Sequence, residues 1–439
     1  MLMKRKYHLN PLMLVIMIAT GGTLSSCADP GSQQAEPLRA ADSESTVLDR
    51  ARAIHEAALV LDAHADIELP GKPSRYAGED GVSKVAPAKM LAGGVDAVVM
   101  AVAVGPGPRN AEGYAAARAS ADEKIAAVAA LANDPANSVV IPLTADDLIE
   151  AHASGKSSLI LGFQNALILG TDETVLDDLY ARGVRVFALT HMGHNDYADS
   201  SRPLYLGELG THEPEAEHGG LSTLGVAAIE RVNALGGIVD VSQLSRQATL
   251  QVLALSAAPV IASHSNVRAL SDVSRNLSDD EIDGIGEIGG VIHVAPFKGY
   301  LFDSSDDKLN SNIRSARREA GVEEDYYYPF ELYWEIEDPD AQMAFVNAIS
   351  ELLGPGSLDD MLDHIDYIVD RIGPDHVGIG TDFNHGSGIV GFNDASEALN
   401  VTAGLIQRGY GAEDIEKIWG GNFLRVFREA ERVGKVLNK

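Results

Sequence analysis

Donors of the metal-binding type stand directly after several apolar runs. Leu61-Asp-Ala-His64-Ala-Asp66 follows the run Ala57–Leu61 and sets a histidine and an aspartate two residues apart. In an extended strand alternate side chains share a face, so this spacing aims an imidazole and a carboxylate the same way. A nitrogen and an oxygen donor at one strand end suit a divalent cation. Alone, such a pair is more often a capped strand end with a solvated aspartate. Here the arrangement recurs: Gln164-Asn165, Thr190-His191, Gln243, Ser263-His264-Ser265 and Asp382 also close apolar runs. Two histidines and a carboxylate among them suit a borderline cation such as zinc.

The elements that must position these residues are legible as alternating patterns. Eight apolar, β-branched runs read as strands: Val60–Ala63, Asp96–Val104, Ser158–Gly162, Val184–Thr190, Gly237–Ser242, Pro259–Ser263, Gly290–Ala295 and His376–Thr381. Helical patterns lie before and between them, at Val47–Val60, Ala111–Ala132, Asp172–Arg182, Thr223–Leu235 and Asp279–Ile288. Near-continuous hydrophobic strands alternating with helices indicate a parallel sheet buried on both faces. A count of eight predicts an α/β fold of the (β/α)8 TIM barrel type rather than an open doubly wound sheet. In such a barrel the C-terminal strand ends face one shared cleft. No Gly-x-Gly-x-x-Gly turn follows the first strand, which argues against a dinucleotide-binding sheet.

The interval between the seventh and eighth strands is too long for one crossover helix. It holds Asp303–Asn312, the run Tyr326-Tyr-Tyr-Pro-Phe330 and a helical pattern around Ala341–Leu353. The helix is expected to extend the helical shell and the tyrosine-rich loop to cover the site.

At 439 residues with 45% hydrophobic content, the chain has ample material for a large core. Acidic residues number 64 against 34 basic ones, a net charge of −30, which disfavours nucleic acid as a partner. Lys4-Arg5-Lys6 precedes a short apolar stretch, Pro11–Thr20, and then Leu24-Ser-Ser-Cys27 resembles a bacterial lipobox. The expectation is a signal peptide over 1–26, lipidation of Cys27, a flexible tether over 27–46 and one barrel over 47–439. That puts the protein in the bacterial cell envelope, held to a membrane through Cys27, with the outer membrane favoured by Ala28. Cys27 is the only cysteine, so no disulfide forms within the chain.

The motifs, in order, resemble those of the membrane (renal-type) dipeptidase family of zinc metallopeptidases. They are His64-x-Asp66, Gly93-Gly-Val-Asp-Ala97, Leu189-Thr-His191, Gly219-Gly-Leu-Ser222, Asn233-x-Leu-Gly-Gly-Ile-Val-Asp240 and Val260-Ile-Ala-Ser-His264-Ser-Asn266. Arg275-Asn-Leu277, His364-Ile-Asp-Tyr-Ile368, His376-Val-Gly-Ile-Gly-Thr-Asp382 and Gly420-Gly-Asn-Phe-Leu-Arg425 complete the set, which spans about residues 50–430. The resemblance implies a binuclear zinc site with His64, Asp66 and His264 as retained ligands. Gln164 stands where the family has a bridging glutamate, and Gln243 where it has a histidine. A neutral amide brings one carbonyl donor and no charge, so the second ion is expected to be weakened or lost. The resemblance further implies Asp382 as the catalytic carboxylate, His191 as the group facing the substrate carbonyl, and Arg275 as the clamp on a dipeptide's terminal carboxylate. Asn384-His385 replaces the more usual Asp-Gly; His385, with His194 and Asn165 as similar extras, is a substitute ligand, a substrate contact or a surface residue, with one of the last two expected.

The activity this implies is metal-dependent hydrolysis of dipeptides, with one zinc or two, or another divalent ion. Two alternatives remain: a barrel that binds dipeptides without turnover, and a related amidohydrolase acting on another amide or a lactone. Homodimerisation is left open.

Overall fold

The computed structural model describes residues 44–439 apart from Glu208. The expected signal peptide, Cys27 and nearly all of the expected tether lie outside these residues. A first helix, α1, spans Glu44–Ala57, so regular structure begins three residues before the expected barrel boundary and stops short of Val60.

All eight expected strands form, as β1 Leu61–Asp66, β2 Ala97–Ala103, β3 Ser157–Gln164, β4 Val184–Ala188, β5 Ile238–Asp240, β6 Ile261–Ala262, β7 Val291–Val294 and β8 Val377–Ile379. They pair in parallel in sequence order, and a short strand, Val139–Val140, that the pattern reading missed pairs with β3. The ring is drawn together where β8 meets β1: Asp66 N–H donates to Phe383 O at 2.9 Å and Asp382 N–H to His64 O at 2.8 Å. Buried Asp62 reinforces this seam by accepting the Thr381 N–H at 2.7 Å and its hydroxyl at 2.6 Å. The fold is a (β/α)8 barrel.

The barrel interior is filled by Leu61, Ala63, Val99, Ile160, Val186, Ile238, Ile261 and Val291. The C-terminal helix Asn422–Leu437 packs Phe423 and Phe427 against this same cluster. Apolar side chains thus fill most of the barrel, with buried His293 of β7 facing Phe423 among them, and the donor residues named above gather at the strand ends. Gly380, just after β8, has no alternative: a Cβ there would lie 1.7 Å from the Ser263 carbonyl oxygen. That close approach sets Thr381 and Asp382 against β6 and β1.

The segment between β7 and β8 carries helices Lys298–Leu301, Asp307–Glu319 and Pro339–Leu353 around a core of its own, including Tyr300, Ile313, Tyr328, Phe345 and Ile349. The expectation of a tyrosine-rich covering loop is corrected. Tyr328 is buried against Phe297 and Tyr300, because Arg317 donates to the carbonyls of Glu323, Pro329 and Glu331 and pins the loop to the insertion. Among the described residues, no helix is long and apolar enough to cross a membrane.

Candidate metal and substrate site at the barrel rim

The C-terminal strand ends converge as the barrel geometry requires. His64 from β1 and His264 from the end of β6 stack with ring centroids 3.7 Å apart. Asp382 joins them, with donor atoms of the three residues all within 4.8 Å of one another. Asp66 Oδ1 lies 3.8 Å from His64 Nε2, and Asp382 Oδ1 lies 3.9 Å from the same nitrogen.

A buried hydrogen-bond chain sets how the two rings present themselves. Ser263 donates its hydroxyl to Asp240 Oδ2 at 2.5 Å, so that hydroxyl has only lone pairs left for the rings. Its oxygen lies 2.8 Å from His264 Nδ1 and 3.3 Å from His64 Nδ1. Both Nδ1 atoms therefore carry the proton, and both Nε2 lone pairs remain available, as a ligating histidine requires. Burial holds the two imidazoles neutral, His64 at a pKa of about 3 and His264 well below the usual histidine range. With Asp66 and Asp382 alongside, this donor set fits one divalent cation.

It does not offer an equivalent second set. Gln164 Nε2 donates to Gln243 Oε1 at 2.7 Å, so the two substituted positions meet as a neutral amide pair. Gln243 is held there with a positive φ of 67°, and its carbonyl accepts the Ser201 N–H. His385 stands outside the clustered donors and pairs with Asp66. Its Nδ1 lies 2.9 Å from Asp66 Oδ2; burial lowers its pKa, but Asp66 and then Asp382 outweigh that and raise it to about 9. Asp66 is in turn held below the ordinary carboxylate range: His385 outweighs the opposing effect of burial. For Asp382 burial dominates, and the carboxyl is pushed up to about 7.

The remaining expected residues divide into those that face the cleft and those that build it. His191 is buried, its Nδ1 has no hydrogen-bond partner, and its ring meets His385 edge-on at 5.4 Å. Burial, assisted by the His385 charge, keeps it neutral. Arg275 lies over the Tyr300 ring at 5.2 Å, but Nη2 donates to His264 O at 2.7 Å and Nη1 to Ser265 Oγ at 3.2 Å, leaving Nε without a partner. His194 and Asn165 are corrected to structural roles. His194 bonds Pro214 O and the Ser200 N–H through its two ring nitrogens. Asn165 donates to the Val104 and Gly105 carbonyls while capping a short helical turn. Asn384 likewise ties Lys84, Asp66 and Ser83 together.

Three features escaped the sequence reading. Asp240 and Ser263 were visible only as strand-end residues, with no signal that they meet. Arg202, in Ser201-Arg202-Pro203, sits in a loop without a pattern, yet it is buried beside the cluster. Over His385, Tyr76 stacks at 5.7 Å, and its hydroxyl lies 3.2 Å from that of Tyr333. Arg75 bonds both tyrosines, so the cover of the site joins the β1 loop to the insertion. A polar cavity of about 710 Å³ is lined by Ser200, Ser245, Arg268, Ser274, Tyr326 and Tyr327 and by none of His64, His264 or Asp382.

A family model for membrane dipeptidases, peptidase family M19, matches residues 48–439. This chain belongs to the membrane dipeptidase family. It is similar to the probable dipeptidase PvdM from Pseudomonas aeruginosa, at 36% identity and a TM-score of 0.78, covering 89% of this chain and 100% of that one. Among curated relatives, dipeptidase aclJ of Aspergillus oryzae is 32% identical over 287 residues, 65% of this chain and 54% of that protein. Dipeptidase tcpJ of Claviceps purpurea is 30% identical over 290 residues, 66% of this chain and 55% of the relative. The chain thus spans about half the length of these fungal relatives. A metallopeptidase from Rhodobacter sphaeroides, solved with a phosphinate mimic of L-Ala-D-Ala, shares the fold at 19% identity and a TM-score of 0.62.

Proposed function

We propose that this chain hydrolyses small dipeptides with a single divalent ion, zinc or a similar metal, held by His64, Asp66 and His264 with Asp382 beside them. The observation that carries this reading is the Asp240–Ser263 chain, which turns both Nδ1 atoms inward and leaves both Nε2 lone pairs for a cation. Such an ion supplies Lewis acidity toward a scissile carbonyl and lowers the pKa of a water molecule.

The surrounding residues have separable roles. Asp382, ionised beside a bound cation, takes a proton from the attacking water, and its burial then favours the protonated form that returns the proton to the leaving amine. His191 is neutral, so it presents an N–H to the substrate carbonyl oxygen as negative charge develops there. Arg275 keeps its unpartnered Nε–H for the substrate carboxylate, while Nη1 and Nη2 fix the plane of the guanidinium. The Gln164–Gln243 pair and the His385 cation favour one ion over two, since the first contributes no charge and the second already balances Asp66.

Elemental analysis of the purified protein, beside the Gln164→Glu/Gln243→His variant, tests the metal reading. About one equivalent is expected in the wild type and a second only in the variant. Turnover of a dipeptide panel with zinc, cobalt or manganese tests the activity; no cleavage with any of them refutes it. The amide pair also favours a second reading, a barrel that binds dipeptides without turnover, and calorimetric binding after chelation, with no hydrolysis on reloading, selects it. The Leu24–Cys27 motif supports a lipid-anchored location in the cell envelope as part of the same proposal.

A further inference from the structure

Arg202 is an arginine that the fold does not use as it uses its other buried arginines. Arg317 spends its protons on the carbonyls of Glu323, Pro329 and Glu331. Arg185 likewise donates to the carbonyls of Leu143, Tyr180 and Val184. Both are structural cations, satisfied by backbone. Arg202 is 6% exposed, yet its guanidinium forms no hydrogen bond with any described residue, and its buried Nε is among the unpartnered atoms.

Its one ion pair with a described residue is a poor fit. Glu331 Oε1 stands 3.5 Å from Arg202 Nε and itself accepts no hydrogen bond, while Glu331 Oε2 is taken by the Tyr327 N–H at 2.6 Å. Buried ion pairs that serve stability are normally hydrogen-bonded on both sides, because desolvating the charges is otherwise uncompensated. A loose pair of this kind leaves the planar donor fork free for a better acceptor.

The location says which acceptor. Arg202 follows His191 on the same loop, and its charge acts on His191, Asp382 and His385. It lies over the Tyr328 ring at 4.7 Å, and Tyr328 packs against Tyr300, which carries Arg275, with ring centroids 5.4 Å apart. Two guanidinium groups therefore stand on adjoining tyrosines along one wall of the cleft. A simple dipeptide has one carboxylate for them.

We propose that Arg202 is an anion anchor of this cleft, and that the preferred dipeptides carry an acidic side chain in addition to their terminal carboxylate. This rests on the dipeptidase reading above and adds the substrate class. Glu331 then holds the guanidinium in place until the substrate carboxylate takes over the fork.

The experiment compares kcat/KM of the metal-loaded protein for Ala-Glu against Ala-Gln and for Glu-Ala against Gln-Ala, pairs that differ only in charge. In at least one pair the acidic member is expected to lead by about tenfold or more, the worth of one charge-assisted hydrogen bond. In Arg202→Met that ratio falls to about one, carried mainly by KM; in Arg202→Lys it is partly kept; in Glu331→Gln it rises. A wild-type ratio at or below one in both pairs overturns the proposal, whatever the variants do. Equal loss on acidic and neutral substrates in Arg202→Met overturns it too, and shows a structural arginine. If the wild type cleaves no dipeptide, the same pairs are compared by calorimetric binding: a charge preference lost in Arg202→Met upholds the anchor while the hydrolytic reading fails, and no preference overturns the anchor as well.

Discussion

His364 offers a quantitative test of how the rim is held in place. It lies on the helix Leu358–Ile372, is 2% exposed, and accepts the Val267 N–H on Nδ1 at 2.9 Å, three residues beyond His264. Burial lowers its pKa from 6.5 to about 3. Because the folded state holds this imidazole neutral, its contribution to stability is complete above the unfolded value of 6.5 and is lost as pH falls from there toward 3. Each unit in that window corresponds to about 1.4 kcal/mol, so the about 1.5 units between 6.5 and pH 5 amount to about 2 kcal/mol. His364→Asn removes the titrating group while leaving an oxygen to accept the Val267 N–H. The variant is expected to be less stable than the wild type at pH 7, by about 1–3 kcal/mol for the lost ring. The informative quantity is the change in that gap: urea unfolding at pH 7 and pH 5 should show it shrinking by about 2 kcal/mol. Other buried histidines titrate in both proteins and cancel in the difference. A gap that stays constant between the two pH values would refute the claim that His364 is neutral and buried in the folded protein.

Asp382→Asn is expected to lower kcat on the best dipeptide by about 10²–10⁴-fold, the usual worth of a positioned general acid–base group, in steady-state assays. Unchanged kcat would remove Asp382 from the chemistry. Gly380→Ala places a Cβ 1.7 Å from the Ser263 carbonyl oxygen, so soluble expression or thermal unfolding should report a loss of about 3 kcal/mol or more. Tyr333→Phe removes a hydroxyl bonded by Arg75 and facing Tyr76, and is expected to accelerate hydrogen exchange in the Arg75–Tyr76 loop without changing the fold. Cys27→Ser is expected to abolish metabolic labelling by palmitate and release the protein from membranes, measured by fractionation.

Much of the architecture followed from local pattern. Continuous apolar runs such as Ala97–Ala103 belong to strands buried on both faces, and eight of them separated by helical patterns leave few topologies other than a closed parallel barrel. Those runs also dictate that polar side chains appear at the strand ends, so His64, Asp66, His191, His264 and Asp382 were legible as one constellation before any distance was known. The helix Thr223–Leu235 was bounded correctly because Ser222 caps its start and Gly236 ends it in a left-handed conformation.

What only the tertiary structure decided is how those side chains are electrically set. Whether a histidine is a neutral ligand or a cation depends on partners distant in sequence: His264 is kept neutral by burial while Asp240 and Ser263 orient it, and His385 is charged by Asp66 from the opposite end of the chain. Gln164 and Gln243 were visible as two separate departures, but that they bond to each other is a fact of neighbouring strand ends. The tyrosine-rich loop read as a cover because composition signals exposure, whereas Arg317 draws it inward by three backbone carbonyls that no local pattern encodes. Arg202 carried no signal at all. Periodicity records which face of an element is buried, whereas charge state and partner choice come from long-range contacts that periodicity does not contain.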